Sequence, residues 1–235
     1  MQEFTFLTTG NPQGVFANIE GPIDEIENYV GFAWVSDSLY MVQSHTVYSY
    51  NITGDSWTKP VNGTLTNRHS MSQSTADDSG FVYSLSDSHQ LLKYNTNNNT
   101  YEYIATPGDL TNSEPRAAWD SQTQRVYLAD YSNPNDFYAF NPDDGTFTAL
   151  APLPDSNGMS DAFCSDRRGH IFTANSSDSE IAKDVWMYTA ATDTWTSFTE
   201  LPFAHGNSAA CTVSADGWLY FGDGNNYNFA RIKLF

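Results

Sequence analysis

VYSYNITGDSWTK, residues 47–59, decides how this chain is read, because a variant of it returns three more times with one spacing unchanged. Tyr50 and Trp57, Tyr94 and Tyr101, Phe140 and Phe147, and Tyr188 and Trp195 are each seven residues apart. Asn, Thr, Gly and Asp dominate the interval, and these residues suit a tight connection between antiparallel strands. The pattern predicts a hairpin repeated once per structural unit.

Upstream of each hairpin lies an apolar run with an aromatic near its start: LYMVQS, FVYSLS, RVYLAD, HIFTAN and, in a fifth repeat, WLYFGD. Tyr40, Tyr83, Tyr127, Phe172 and Tyr220 are separated by 43, 44, 45 and 48 residues. Ahead of these come runs of small and apolar residues: GFAW, SMSQS, RAAW, DAFC and SAAC. With the segment after the hairpin turn, as in WTKPV or TFTAL, each repeat supplies four short antiparallel strands. Four strands at a period in the forties describe a propeller blade.

The expected fold is therefore all-β: one five-bladed β-propeller with blades at 30–65, 66–110, 111–154, 155–202 and 203–235. Ala33, Ala117, Ala162 and Ala209 would leave room where inner strands converge on a central channel, and the hairpin aromatics would fill the wedges between sheets. The fifth repeat supplies only three strands. The alternating residues 1–9, MQEFTFLTT, would complete that blade and close the ring.

The repeat period and the aromatic hairpin resemble those of kelch repeats over nearly the whole chain after Gly31. Matching residues include Tyr50 with Trp57, Tyr188 with Trp195, and Pro115–Arg116 leading into an inner strand. Kelch strands usually carry a Gly pair where this chain has VQS, SLS, LAD, TAN and FGD, so the relationship is divergent. Kelch propellers include actin binders, ubiquitin-ligase adaptors and oxidases, so the resemblance implies a fold and no single activity. Five-bladed lectins and glycoside hydrolases share the blade number, but no motif of theirs is present.

Composition narrows the partners. The chain has 28 acidic and 10 basic residues and a net charge of -18, which repels nucleic acid and anionic membrane. No apolar run is long enough to span a bilayer, and residues 1–30 lack the order of a secretory signal. Acidity and scarce Lys suit a secreted or extracellular protein. Sequons begin at Asn51, Asn62, Asn98 and Asn175, a number that a chain this rich in Asn, Ser and Thr reaches by chance.

Loops entering the inner strands, and loops between the second and third strands, emerge on one face, where propellers place binding sites. His45 and His89 each lie five residues before a hairpin Tyr, a position that Asn135 and Lys183 fill in the next two blades. Arg68, His69, Arg116 and His205 fall in the other set of loops, and Asp130 and Asp161 reach the same face by strand order. The expected ligand-binding set is His45, Arg68, His69, His89, Arg116, Asp130, Asp161 and His205. The long segment Gly10–Tyr29 would form a lid, a wall of the site or a plug on this face.

These residue types suit a sugar site with aromatic platforms, or an anion site gripped by Arg68 and Arg116. Metal is not expected, because no tight ligand spacing occurs. The leading expectation is a monomeric, non-catalytic module that binds a carbohydrate or a protein. An enzyme is the alternative, with a polysaccharide lyase using Arg116, His69 and His205 ahead of a glycosidase. Asp24, Glu114, Asp130, Asp161 and Asp223 are acids that a glycosidase could draw on. A scaffold without a small-molecule site is the third option.

SNPND, NPDDG and GDGNN have the composition of calcium-binding loops, so structural calcium is the one cofactor considered, although NPDDG falls where a turn wants those residues anyway. Cys164 and Cys211 lie 47 residues apart, close to one repeat. They should occupy matching places in neighbouring repeats, and two buried free thiols are expected ahead of a disulfide.

Overall fold

The computed structural model describes residues 30–60, 65–69, 73–86, 88–107, 110, 115–130, 133, 136–153, 159–175, 183–205, 209–223 and 228–235, with backbone alone for 159–161 and 175. The closing strand expected at 1–9 and the loop at 10–29 lie outside the described residues. Nineteen strands and no helices are found among those described. They form five antiparallel sheets, the blades of a β-propeller.

Blade 1 comprises β1 (Gly31–Val35), β2 (Ser38–Gln43), β3 (Thr46–Asn51) and β4 (Ser56–Thr58). Blade 2 comprises β5 (Ser74–Ala76), β6 (Phe81–Leu85), β7 (Gln90–Asn95) and β8 (Thr100–Ala105). In blade 3 these are β9 (Pro115–Asp120), β10 (Arg125–Asp130), β11 (Phe137–Asn141) and β12 (Thr146–Ala149). Blade 4 has β13 (Met159–Ser165), β14 (His170–Asn175), β15 (Asp184–Thr189) and β16 (Thr194–Glu200). Among the described residues blade 5 has three strands, β17 (Ala210–Val213), β18 (Trp218–Gly222) and β19 (Phe229–Lys233).

Every sheet keeps sequence order from the inside outwards. The start of each inner strand and the end of each second strand therefore share one face, called the top here. The short turns between first and second strands and the hairpins between third and fourth strands lie at the bottom.

The hairpin pairs stand directly opposite one another in register: Tyr50 with Trp57, Tyr94 with Tyr101, Phe140 with Phe147, and Tyr188 with Trp195. A second regularity lies inside the turn. Tyr50 Oη donates to Asp55 Oδ1 at 2.6 Å, Tyr94 to Asn99 Oδ1 at 2.8 Å and Tyr188 to Asp193 Oδ1 at 2.8 Å. Asp55, Asn99 and Asp193 all have positive φ, a conformation that Asn and Asp tolerate best among residues with side chains. Blade 3 has Phe140, with no hydroxyl to donate, and at the matching turn position Gly145, with no side chain to accept. Ring and turn residue thus change together.

Packing explains the apolar second strands. Four hydrophobic clusters lie between neighbouring blades, joining 1 to 2, 2 to 3, 3 to 4 and 4 to 5. In β10, Val126 and Leu128 face blade 2, whereas Tyr127 and Ala129 face blade 4. Both sheet faces are buried, so alternation disappears and the run reads as continuously apolar. Ala33, Ala162 and Ala209 lie in these clusters, so their small size serves close approach between blades rather than room in the channel.

The channel itself is a cavity of about 390 Å³ lined by inner-strand residues of all five blades, from Gly31, Thr75, Ala118, Phe163 and Thr212 among others. At its lower end Arg167 of blade 4 pairs with Asp78 of blade 2 at 3.0 Å, and Trp119 Nε1 donates to the same carboxylate at 3.2 Å. These contacts brace blades 2, 3 and 4.

Cys164 and Cys211 form a disulfide, with their Cα atoms 5.8 Å apart, and neither is the free thiol that the sequence suggests. Matching places in neighbouring repeats are far apart on outer strands but adjacent on inner ones, where blades converge. Both cysteines sit on inner strands, so equivalence brings them together. Replacing both by Ser should lower unfolding free energy by about 2–4 kcal/mol, because a long loop is released in the unfolded chain. Urea denaturation of the variant against the oxidised parent measures this, and equal midpoints would refute a stabilising bridge.

Candidate functional site

The top rim is polar beneath as well as above. Gln43, His69, Ser84, Ser86, Arg116, Asp130, Asp136, Thr173, His205 and Asp223 are buried and belong to strand portions or loops directed to the top, whereas Asp120 is the buried carboxylate at the bottom. Asp120 accepts hydrogen bonds from Thr123, Ser165 and the Gly169 amide, clamping blade 3 to blade 4.

Blades 1 and 2 bring four of the expected residues together. Ser44 and His69 exchange backbone hydrogen bonds, both 2.7 Å, which joins the loop bearing His45 to the connection bearing Arg68. His45 donates from Nδ1 to the Leu65 carbonyl at 2.9 Å, and the Leu65 amide returns a bond to the His45 carbonyl at 2.6 Å. Asn67 Nδ2 donates to Gln90 Oε1 at 2.6 Å, and Thr106 donates to the His89 carbonyl at 2.6 Å. The rim formed this way presents exposed Arg68 and His89 beside half-buried His45.

His69 is not the open loop residue that the sequence suggests, for it is only 1% exposed. Its Nδ1 lies 3.0 Å from the Leu85 carbonyl and 3.2 Å from Ser84 Oγ, and its Nε2 lies 3.1 Å from Tyr103 Oη. A carbonyl only accepts, so Nδ1 carries the proton and Nε2 accepts from the phenol. Burial pushes the Tyr103 phenol up to about 12, which keeps it a donor. His69 is thus a tether between the first and second blades.

Arg116 is likewise misplaced by the sequence reading. It lies within inner strand β9, paired with Ala129, and is 3% exposed. His205 is in a connecting loop but is also buried. Asp130 ends β10, buried, and its amide bonds the Asp136 carbonyl at 3.1 Å. Asp223 plays the same part in blade 5, where it holds Asn228. The side chain of Asp161 lies outside the described residues, as do Asp24, Glu114 and Asn135.

Asn67, Gln90 and Tyr103 complete the rim and had no sequence signal beyond polar loop composition and an alternating outer strand. NPDDG uses its carboxamide and carboxylate on local turns, with Asn141 accepting from Asp143 and Asp144 from Thr146. Among the described residues no group of three or more His, Cys, Asp or Glu is placed to hold a metal ion.

No family model matches the chain, and no curated protein does. Two solved structures of the extracellular domain of BT4673 from B. thetaiotaomicron, a protein assigned as a hybrid two-component system in one and as a one-component system in the other, are similar in fold. They align with TM-scores of 0.62 and 0.61 at 14% and 15% identity, covering 90% of this chain and 28% of theirs. At this identity the likeness shows the fold alone, and this chain spans about a quarter of the length of those domains.

Two predictions follow from burial. His69→Ala should cost about 2–3 kcal/mol by removing a buried ring together with its bonds to the Leu85 carbonyl and Tyr103, whereas His89→Ala should stay within about 0.5 kcal/mol. Chemical denaturation of both variants tests the contrast. Burial also raises the phenols of Tyr83, Tyr94 and Tyr188 above the ordinary value. A phenol raised in the fold contributes fully below its unfolded value, about pH 10, and loses that contribution as pH rises towards the folded value. Alkaline titration should therefore ionise these rings together with loss of circular dichroism. Their ionisation in a chain that stays folded would contradict the packing.

Proposed function

We propose that this chain is a non-catalytic, kelch-like binding module of an extracellular protein, recognising a carbohydrate partner at the top rim of blades 1 and 2. The observation that carries this reading is the convergence of His45, Arg68 and His89 through the Ser44–His69 and Asn67–Gln90 contacts. It joins the Arg68 guanidinium and two imidazoles on one edge, with the His45 Nδ1 proton already given to the Leu65 carbonyl so that its other nitrogen accepts. Donors grouped beside polar amides suit the hydroxyls and acidic groups of a glycan.

The lyase alternative loses support from burial. Arg116, His69 and His205 were its anion grip and proton carriers, and all three are withdrawn from solvent. His69 further has both ring nitrogens engaged. An extracellular setting is supported by the disulfide, which persists in oxidising compartments, and by the extracellular domains that share the fold. No helix among the described residues is long and apolar enough to cross a membrane.

A glycan-array screen followed by the variant His45→Ala/Arg68→Ala/His89→Ala tests the proposal. Affinity for any array hit should fall about tenfold or more with the melting temperature little changed, as expected for loss of charged hydrogen bonds. Unchanged affinity would remove the rim from consideration. Turnover of a hit, seen as new reducing ends or unsaturated products, would make the chain an enzyme. A silent array with capture of a protein partner would select the protein-binding form of the module.

A further inference from the structure

The opposite face carries a cavity that the top-rim reading does not use. It measures about 430 Å³ and lies below the channel, where blades 4, 5 and 1 meet. Its walls include Trp34, Arg167, Arg168, Ser214 and Phe235. Ser165 and Arg167 also line the channel, so they form the partition between the two spaces.

Charge is unevenly distributed around this cavity. Arg167, Arg168, Arg231 and Lys233 are four of only ten basic residues in the chain, and all fall on blades 4 and 5. The three nearby carboxylates are engaged. Asp78 holds Arg167 and Trp119. Asp166 is bonded to His170 Nδ1 at 2.7 Å and to the amides of Arg168 and His170. Asp216 accepts from Ser214, and Lys233 donates to its backbone carbonyl.

Of the two cations that line the cavity, Arg167 is held by Asp78 and Arg168 is not. Among the described residues its guanidinium meets no carboxylate and makes no side-chain hydrogen bond, and its carbon lies 3.5 Å from the centroid of the Phe235 ring. A guanidinium over a ring offers that ring its π-face, while its N–H donors lie in its own plane. That edge fits a carboxylate bidentately. Trp34 supplies the other half of a recognition site, because its indole is 52% exposed on the cavity wall although it belongs to an inner strand.

We infer that this bottom cavity is a second binding site, for an acidic sugar whose carboxylate meets Arg168 and whose ring face lies on Trp34. The volume accommodates a ring-sized ligand, not a folded partner. The site is independent of the top rim, because it shares no residue with it.

Titration calorimetry with oligogalacturonate, and with its methyl ester as the uncharged control, tests the inference. The acid should bind and the ester should bind at least about tenfold more weakly. Arg168→Ala should weaken the acid about tenfold to a hundredfold. Arg168→Lys should restore part of the loss, since it keeps the charge without the planar fork. Binding should quench fluorescence in the parent and not in Trp34→Phe. The top-rim triple variant should bind the acid as the parent does. Equal affinity for acid and ester, no binding of the acid by the parent, or loss of binding in the top-rim variant with retention in Arg168→Ala would each overturn the inference. The last outcome would leave the top rim standing, and the reverse pattern would leave only the bottom site.

Discussion

A propeller blade has two apolar faces and must bury both, and this constraint shapes the rest of the chain. No single sheet here could stand alone, since β6, β10 and β14 present large side chains to either side. From blade 1 to blade 5, successive blades therefore share one core at each join, built from Tyr83, Phe140 and Leu128 between blades 2 and 3 and from Phe137, Tyr188 and Trp195 between blades 3 and 4. Aromatics are most frequent in the wedge between blades 3 and 4, where Tyr127, Phe137, Phe163, Tyr188 and Trp195 make up half of the buried cluster. The hydroxyl of the hairpin Tyr then reaches the solvent edge, where the turn residue receives it. Core filling and turn closure are thus two ends of one side chain.

The same constraint accounts for the disulfide and for the seam. Blades 4 and 5 share a core and a covalent link at the axis. The faces that blades 5 and 1 direct towards each other are different: Phe32, Trp34 and Phe229 are exposed, and Arg231 and Lys233 lie over the Trp218 ring at 4.4 and 5.3 Å. No cluster of buried residues spans these two blades among the described residues. Covering rings with cation stems and guanidinium planes is a way to keep apolar surface near a join without a dry core. The bridge fixes blade 5 to blade 4 on the side where packing is dense, so blade 5 is held from that side.

Much of the architecture was legible because it repeats. Aromatics seven positions apart can stand opposite one another only in a hairpin of fixed turn length, and four copies leave little freedom. The disulfide was hidden by a sound observation pushed the wrong way, since equivalence in neighbouring repeats separates outer-strand residues but unites Cys164 with Cys211 near the axis. Site residues were harder for a different reason. A polar residue in a connection carries no mark of burial, so His69 and His89 read alike, yet the fold inserts one ring against Ser84, Leu85 and Tyr103 and leaves the other outside. Arg116 escaped because an Arg beside a Pro reads as a loop, whereas here both begin an inner strand. The lower cavity left no trace in the sequence, for Trp34, Arg168 and Phe235 come from three different blades.

The two faces are also built to different tolerances. At the bottom, successive strands are joined by two to four residues, as at 36–37, 121–124 and 166–169, and positive φ at Ser36, Gln124, Arg167 and Gly169 marks how tightly the backbone turns. Asp166 accepts from the Arg168 and His170 amides and so fixes the turn that carries Arg168. Top connections vary more in length, from the two residues between β2 and β3 to the 15 between β4 and β5, and side-chain bonds such as Asn67 to Gln90 tie them to one another. A side chain on a tight, capped turn loses little freedom on meeting a ligand, whereas a long connection must be ordered by its own contacts first. The turn that carries Arg168 is therefore ordered by bonds within itself, whereas Arg68 and Asn67 lie on the 15-residue connection and depend on a bond to the neighbouring strand residue Gln90.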